Sequence, residues 1–465
     1  MELVQMISRK NTKKMKNHIF SSEESLNNNI HKIYLTLALL LGSILAIGMP
    51  LFSEPDGVFH FVNASNIAGL TVDVSAYGET AYWWGDQFAT QRPSMQEGTH
   101  FEKYFKNEVQ LMSIEELPRL QEVPSMTSFR YWSAAIPSLG VWVGYHIYPS
   151  MGVMIVSARL INMFCLSIAM FFIIKYVKRG KLFFILTTMN PVVMNLFASL
   201  SNDGLSVVLV SLMIAFAINT IVDNELTNKK ILAMVLLSVI IIFAAKTNFM
   251  LIILLLPLLL FVYLSKGRVE NYFISKPFWI KLGFIAILSV ILIGLSVVFL
   301  TRFGGIGTVI YRLLINVFYN FSFSAQSVFT SALTNPLFEM TPMPIWLSAA
   351  WLLMLILAAL EEEKFVKHPL VSWGSLSVFI LNFLGIYITF MVEIGGGRNR
   401  ELGFIWGLQG RYFTAFIPLL LLFLADKKFK LKVSSFRTIS VLSFLLIVGA
   451  NLLLLFNTLF RILYF

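Results

Sequence analysis

The residues best suited to chemistry fall in three short runs. Glu54-Pro55-Asp56 is followed one turn later by His60. Asn190-Pro191 is followed by Ser199, Ser201, Asn202 and Asp203. Gln409-Gly410-Arg411-Tyr412 forms the third. A carboxylate can accept a proton, and a guanidinium matches phosphate oxygens with two parallel hydrogen bonds. If the three runs lie at a shared depth, they can build one pocket. Each run also has a plainer reading. Asp56 can cap a helix, Asn202-Asp203-Gly204 can be a turn between two helices, and Arg411 can snorkel to lipid phosphates. Lys246 and Asn248 read the same way as Arg411, near a helix end. His60 can share a helix face with Asp56, but a lone histidine more often makes a local hydrogen bond, and neither HExxH nor Cys/His metal spacing is present. Gly395-Gly396-Gly397 lacks the strand–helix context of a nucleotide loop and reads as a flexible linker.

The elements that must position these residues are set by composition. The chain has 465 residues, of which 57% are hydrophobic and only 13% charged. A soluble domain is about half apolar and about a quarter charged, so lipid must be the solvent for most of this surface. A spanning helix needs about 20 mostly apolar residues, and the sequence holds enough such stretches to cross about ten times or more. The net charge of +11 fits basic cytoplasmic loops rather than nucleic acid. Cys165 is the single cysteine, which excludes disulfides within the chain and Cys₄ metal sites.

Charge then orders the spans. The basic stretch 1–32, with Arg9, Lys10, Lys13, Lys14 and Lys16, is expected inside, and Ile33–Phe52 reads as a retained first span rather than a cleaved signal. Ser53–Phe129 carries eleven acidic residues against four basic ones, as an outer loop can. Two apolar stretches follow, but if both crossed, Lys175, Lys178, Arg179 and Lys181 would lie outside. Only Met151–Ile174 is therefore taken to cross. Phe129–Tyr148, aromatic and broken by Pro137, reads as a helix at the interface, so the first outer loop runs over 53–150. The remaining spans are Leu182–Leu200, Leu205–Val222, Ile231–Ala245, Phe249–Leu264, Ile280–Leu300, Ile345–Leu360, Leu370–Met391, Leu408–Ala425 and Thr438–Leu459. That makes about eleven, with the N-terminus inside, the C-terminus outside, and a second long outer segment over 301–344. The expected fold is an all-α polytopic membrane protein, one transmembrane domain over 33–465. The three polar runs all fall on the outer side, where polar residues beside a membrane usually line a site.

Those runs also carry a family resemblance. Met49-Pro50 through Glu54-Pro55-Asp56-Gly57-Val58-Phe59-His60-Phe61 resembles the Pro-Asp-Glu-x-x-His signature of the DUF2142 membrane proteins. Met189-Asn190-Pro191 with Ser199-Leu200-Ser201-Asn202-Asp203-Gly204 resembles the family's second segment, and Gly407-Leu408-Gln409-Gly410-Arg411-Tyr412-Phe413, followed by Pro418, its third. Order and spacing match over roughly Ile33 to Ala425. The family in turn resembles the GT-C glycosyltransferases. The resemblance implies a GT-C-like fold with interfacial helices in the first outer loop. It also implies an enzyme that takes sugar from a polyprenyl-phosphate-linked donor at the outer face of the cell membrane, the acceptor being a surface glycan or glycopolymer. Asp56 matches the acidic residue near the start of that loop. The family's Glu after the Asp is here Gly57, which puts in doubt any role that needs paired carboxylates, such as holding a divalent metal.

On that basis Asp56 is the expected catalytic base and Arg411 the clamp on the carrier phosphate. Gln409 and Tyr412 orient phosphate or sugar, Asn202 and Asp203 bind sugar hydroxyls or brace the loop, and His60 hydrogen-bonds Asp56 or the phosphate. No cofactor and no metal ligand set is expected, and no nucleotide is needed. The main rival is a transporter or flippase of lipid-linked glycans, for which an inverted repeat and broken helices near mid-membrane would be the sign. A third reading is a non-enzymatic scaffold for a surface-polymer machine, in which Asp56 and Arg411 would tolerate substitution.

Overall fold

The computed structural model describes residues 27–54, 56–74, 101–113, 123–264, 275–280, 305–316, 328–336, 343–392, 405 and 408–460, with isolated positions between 282 and 294. Most of the basic stretch 1–32, parts of the loops 53–150 and 301–344, nearly all of Ile280–Leu300 and the linker Gly395–Gly397 lie outside the described residues. Among the described residues the architecture is helical, with no β-strand and only two isolated bridges, Val72–Leu111 and Val366–Asp426.

Six helices are long and apolar enough to cross a membrane. These are α1 (Asn27–Gly48), α5 (Met151–Tyr176), α8 (Asp203–Asp223), α10 (Thr247–Leu264), α14 (Pro369–Val392) and α17 (Phe436–Phe460). They make the chain a multi-pass membrane protein. Their lipid-facing surfaces carry exposed side chains such as Leu40, Phe172, Phe261, Trp373 and Leu445, the arrangement that hydrocarbon permits and water does not. Two further helices, α9 (Asn228–Ala244) and α13 (Ile345–Glu361), have 17 residues each, at the short end of spanning length.

Two expected spans are not continuous helices. Leu182–Leu200 folds as α6 (Lys181–Thr188) and α7 (Pro191–Phe197). Pro191 has no N–H to continue the ladder. Asn190 caps α7 by accepting from Val193 N at 2.8 Å, while its amide donates to Thr187 O at 2.9 Å. Carbonyls at and near the break find partners far away in sequence: Trp351 Nε1 donates to Leu186 O at 3.0 Å and Asn451 Nδ2 to Met189 O at 3.0 Å. Broken backbone at membrane depth is tolerated only where protein surrounds it, and residues 182–204 are buried throughout. Leu408–Ala425 likewise forms two short helices, α15 (Arg411–Thr414) and α16 (Leu419–Leu424), joined by turns that lead into Pro418.

The first loop has its own core. After α1 the chain enters α2 (Gly57–Ile67), and later α3 (Phe129–Ser133) and α4 (Ala135–Ile147). The stretch Phe129–Tyr148 is thus two helices, and α4, with 13 residues, is about 20 Å long, too short to cross. It packs antiparallel along the first turns of α5, where a Cβ on Gly140 would sit 2.4 Å from Ala158 Cα and one on Gly144 2.7 Å from Met154 Cα. Small residues spaced four apart let two helix backbones approach in this way. Phe52, Phe61, Val72, Tyr104, Val141 and Met154 fill the core beneath. From the second long segment come α11 (Gly305–Leu314) and α12 (Val328–Leu333). The latter packs on α15.

Candidate functional site

The site begins where α1 ends. Met49 and Pro50 turn their carbonyls toward α5, and Arg159 there donates from Nη1 to Met49 O at 2.8 Å and from Nη2 to Pro50 O at 2.9 Å. The same Nη2 donates to Glu54 Oε2 at 2.6 Å. The Arg159 and Glu54 side chains are only 1% and 3% exposed. One guanidinium thus grips both ends of a six-residue turn. Phe52 within it and Asp56 just beyond it take left-handed backbone angles, φ 58° and 62°, a conformation that costs a non-glycine residue about 1–2 kcal/mol. The fold brings Gly57 against Phe52, so that a Cβ on Gly57 would lie 2.9 Å from Phe52 Cα. A glutamate cannot stand there without moving the turn. Gly57→Ala is therefore expected to lower stability by about 1–3 kcal/mol, the usual cost of overpacking, measured by thermal unfolding of the full chain in detergent. An unchanged unfolding temperature would show that Phe52 yields freely.

Asp56 sits at the start of α2, yet its side chain makes no capping bond. Its Oδ2 instead accepts from Arg411 Nη2 at 3.0 Å. The capping reading of Asp56 therefore gives way to a contact spanning 355 residues.

The second run supplies Asp203. Asn162 of α5 donates to the carbonyls of Phe197 and Ser199 at 3.3 and 2.8 Å. Ser199 Oγ accepts from Ser201 N at 3.2 Å, and Ser201 Oγ accepts from Asp203 N at 3.3 Å. Each serine thus satisfies one backbone donor at the entry to α8; of the expected turn Asn202-Asp203-Gly204 only Asn202 is a turn residue, since Asp203 and Gly204 begin the helix. Because the serines do this work, the Asp203 carboxylate is left for other contacts. It is 1% exposed, and its Oδ2 lies 3.1 Å from Arg411 Nε while its Oδ1 lies 3.1 Å from Lys246 Nζ.

The third run closes the group. Gly410 N donates to Ser331 Oγ at 2.9 Å, and Thr414 Oγ1 donates to Ala332 O at 2.6 Å. The approach is close: a Cβ on Gly410 would fall 2.3 Å from Ala332 N and from Val328 O. The second long segment is therefore docked on the Gln-Gly-Arg-Tyr run and fixes where Arg411 begins. The Arg411 side chain is 3% exposed and lies between both carboxylates. Tyr412 stacks on Phe390, with ring centroids 5.4 Å apart, and Lys246 Nζ lies over the Tyr412 ring, 4.2 Å from its centroid.

Asp56, Asp203, Arg411 and Lys246 thus form one cluster, two carboxylates against two cations. His60 lies within electrostatic reach of all four. Burial holds its imidazole well below the ordinary range, down to about 4, with Asp56 opposing and Arg411 assisting. That keeps His60 from acting as a third cation in the cluster at neutral pH.

Five of the seven residues singled out in the sequence, Asp56, His60, Asp203, Arg411 and Tyr412, come together here. The other two flank the cluster. Asn202 is buried at the residue before α8 with no side-chain cap, and Gln409 is buried with its carbonyl accepting from Tyr412 N at 3.2 Å. Sequence reasoning missed Arg159, although an arginine inside an apolar span is itself a signal. It read Lys246 as snorkelling, whereas the ammonium is paired with Asp203. Among the described residues, no group of three or more His, Cys, Asp or Glu side chains is placed to hold a metal ion.

A family model described as a predicted membrane protein, DUF2142, matches residues 39–420. No curated protein and no solved structure matches the chain.

Proposed function

The chain belongs to the DUF2142 family of predicted membrane proteins, and from that premise we propose that it is a GT-C-like membrane glycosyltransferase using a polyprenyl-phosphate-linked sugar as donor and a surface glycan or glycopolymer as acceptor. The observation that carries this reading is the Arg411 bridge. Residues from three distant runs, Asp56, Asp203 and Arg411, converge at one end of the helix bundle, beside a folded loop and against lipid-embedded helices. A prenyl chain could stay in lipid there while its phosphate reaches basic side chains.

The charge at the opposite end of the bundle supports the orientation we propose. Lys178 and Lys230 pair with Asp223, Arg179 pairs with Glu363, and Lys427, Lys428, Lys430 and Lys432 are exposed on the stretch whose Lys427 N donates to Val366 O at 3.0 Å. The positive-inside tendency supports a cytoplasmic place for that basic end and an outer one for the Asp56 end. About eleven spans with the N-terminus in remain the topology we favour.

In this reaction Asp56, 18% exposed, takes the proton of the acceptor hydroxyl. The hydroxyl oxygen forms a bond to the anomeric carbon, and the bond from that carbon to the phosphate oxygen breaks, releasing polyprenyl phosphate. Arg411 Nη1 has no hydrogen-bond partner among the described residues and is the donor left to meet the phosphate. Neutral His60 orients Asp56 or the phosphate, while Asn202, Gln409 and Tyr412 line the sugar side.

A flippase of lipid-linked glycans is the second reading, and the break at Asn190-Pro191 favours it, since transporters use discontinuous helices. The charged cluster, however, lies at the bundle end rather than at the break. Analysis of surface and lipid-linked glycans in cells with and without the protein separates the two. A missing sugar branch with accumulated polyprenyl-phosphate sugar is expected. Accumulation of the complete lipid-linked glycan inside would establish the flippase instead, and unchanged glycans would exclude both.

A further inference from the structure

The two cations of the site are not equivalent. Arg411 is 3% exposed, and two of its three guanidinium nitrogens face Asp56 and Asp203. Lys246 is 21% exposed, and its ammonium has three donors and no acceptor role. One contact goes to Asp203 Oδ1 at 3.1 Å, and the Tyr412 ring lies on another side at 4.2 Å. The backbone beneath is fixed, because Lys246 N donates to Ser206 Oγ of α8 at 2.9 Å. The next residue, Thr247, is exposed, so this is the edge of the cluster that opens outward. Asp203 keeps the Arg411 contact if Lys246 shares itself with an incoming group. Beside it, Arg411 Nη1 is a buried donor that lacks a hydrogen-bond partner among the described residues.

We propose that Lys246 is a substrate-binding residue that contacts the donor phosphate together with Arg411 Nη1. This rests on the reading of the donor as a polyprenyl-phosphate sugar. The phosphate gains charge as the sugar departs, changing from a diester to a monoester. An ammonium already held in place by Asp203 and Tyr412 stabilises that charge without having to reorganise. Lys246 thereby does more than balance Asp203.

The test compares two probes on the full chain in lipid nanodiscs: undecaprenyl phosphate and the uncharged alcohol undecaprenol. Wild type is expected to prefer the phosphate. Lys246→Gln should weaken phosphate binding about tenfold, in line with one lost hydrogen bond to a charged group, and leave undecaprenol binding unchanged, while Lys246→Arg retains the preference. The double variant Lys246→Gln/Asp203→Asn removes one charge of each sign, so the buried balance is kept. It should lose the phosphate preference as well. Full phosphate preference in either Lys246→Gln variant, or a parallel fall for both probes, would overturn the assignment of Lys246 alone. A wild type that does not distinguish the two probes would overturn this assignment and the donor reading together.

Discussion

Asp56→Asn is expected to reduce sugar transfer by about 10²–10⁴-fold, the usual contribution of a positioned base, with the protein still folded and inserted. The substitution is close to isosteric. The Asn carbonyl can keep the hydrogen bond from Arg411 Nη2, which in the native site is 3.0 Å long. Asp203 still balances Arg411 through Nε, so no cation is left without an anion beside it. What is lost is the capacity to accept a proton. Of the two carboxylates only Asp56 is open to an acceptor, at 18% exposure against 1% for Asp203. The measurement is transfer to the surface glycan by membranes that contain equal amounts of wild-type and variant protein. Transfer at the wild-type rate would remove Asp56 as the base, and with it the reason to read the cluster as catalytic. A fall in protein level rather than in turnover would assign Asp56 to holding the loop.

How much of this site was legible in the sequence depended on whether a partner lay within reach of the reading. Composition and loop charge were enough to place Asp56, Asp203 and Arg411 at one face, because that inference needs only the parity of the spans between them. The direct contacts were not readable. Lys246 alone looks like any lysine at a helix end, and only its neighbour Asp203, 43 residues earlier, makes it part of a site. The apolar window Leu182–Leu200 looked like one helix because mean hydropathy does not register a break whose carbonyls are rescued by Trp351 and Asn451. Pro191 was the visible sign. Gly57 looked like a missing ligand, whereas packing against the Phe52 backbone gives a local reason for it. Loop charge left Phe129–Tyr148 out of the spans, but the antiparallel seat of α4 on α5 depends on Gly140 and Gly144 meeting Ala158 and Met154, a pairing that periodicity does not specify.

Arg159→Met is expected to destabilise the protein by about 3–5 kcal/mol, the cost of leaving a buried charge without its partner. Glu54 is the group left behind: its side chain is 3% exposed and Oε2 has Arg159 at 2.6 Å. The carbonyls of Met49 and Pro50 lose their donors in the same step. The damage should be local first. Hydrogen exchange should rise over 49–67, the turn and α2, before it rises in α8 or α17, and the unfolding temperature in detergent should fall. Transfer should fall too, although Arg159 touches neither Asp56 nor Arg411 in the contacts described, because the turn it grips sets the left-handed backbone of Asp56. Replacing both partners, as Arg159→Met/Glu54→Gln, removes the unpaired charge and should recover most of the stability, as apolar or neutral replacements of buried ion pairs often do. The two carbonyls would still lack their donors, so exchange over 49–56 should stay elevated and transfer should stay low. That split is the distinguishing result. If the double variant regains transfer along with stability, Arg159 serves only to neutralise Glu54, and the position of Asp56 is set elsewhere. If Arg159→Met is as stable as wild type, the turn is held by the loop core around Phe52 and Phe61, and the guanidinium is not its anchor.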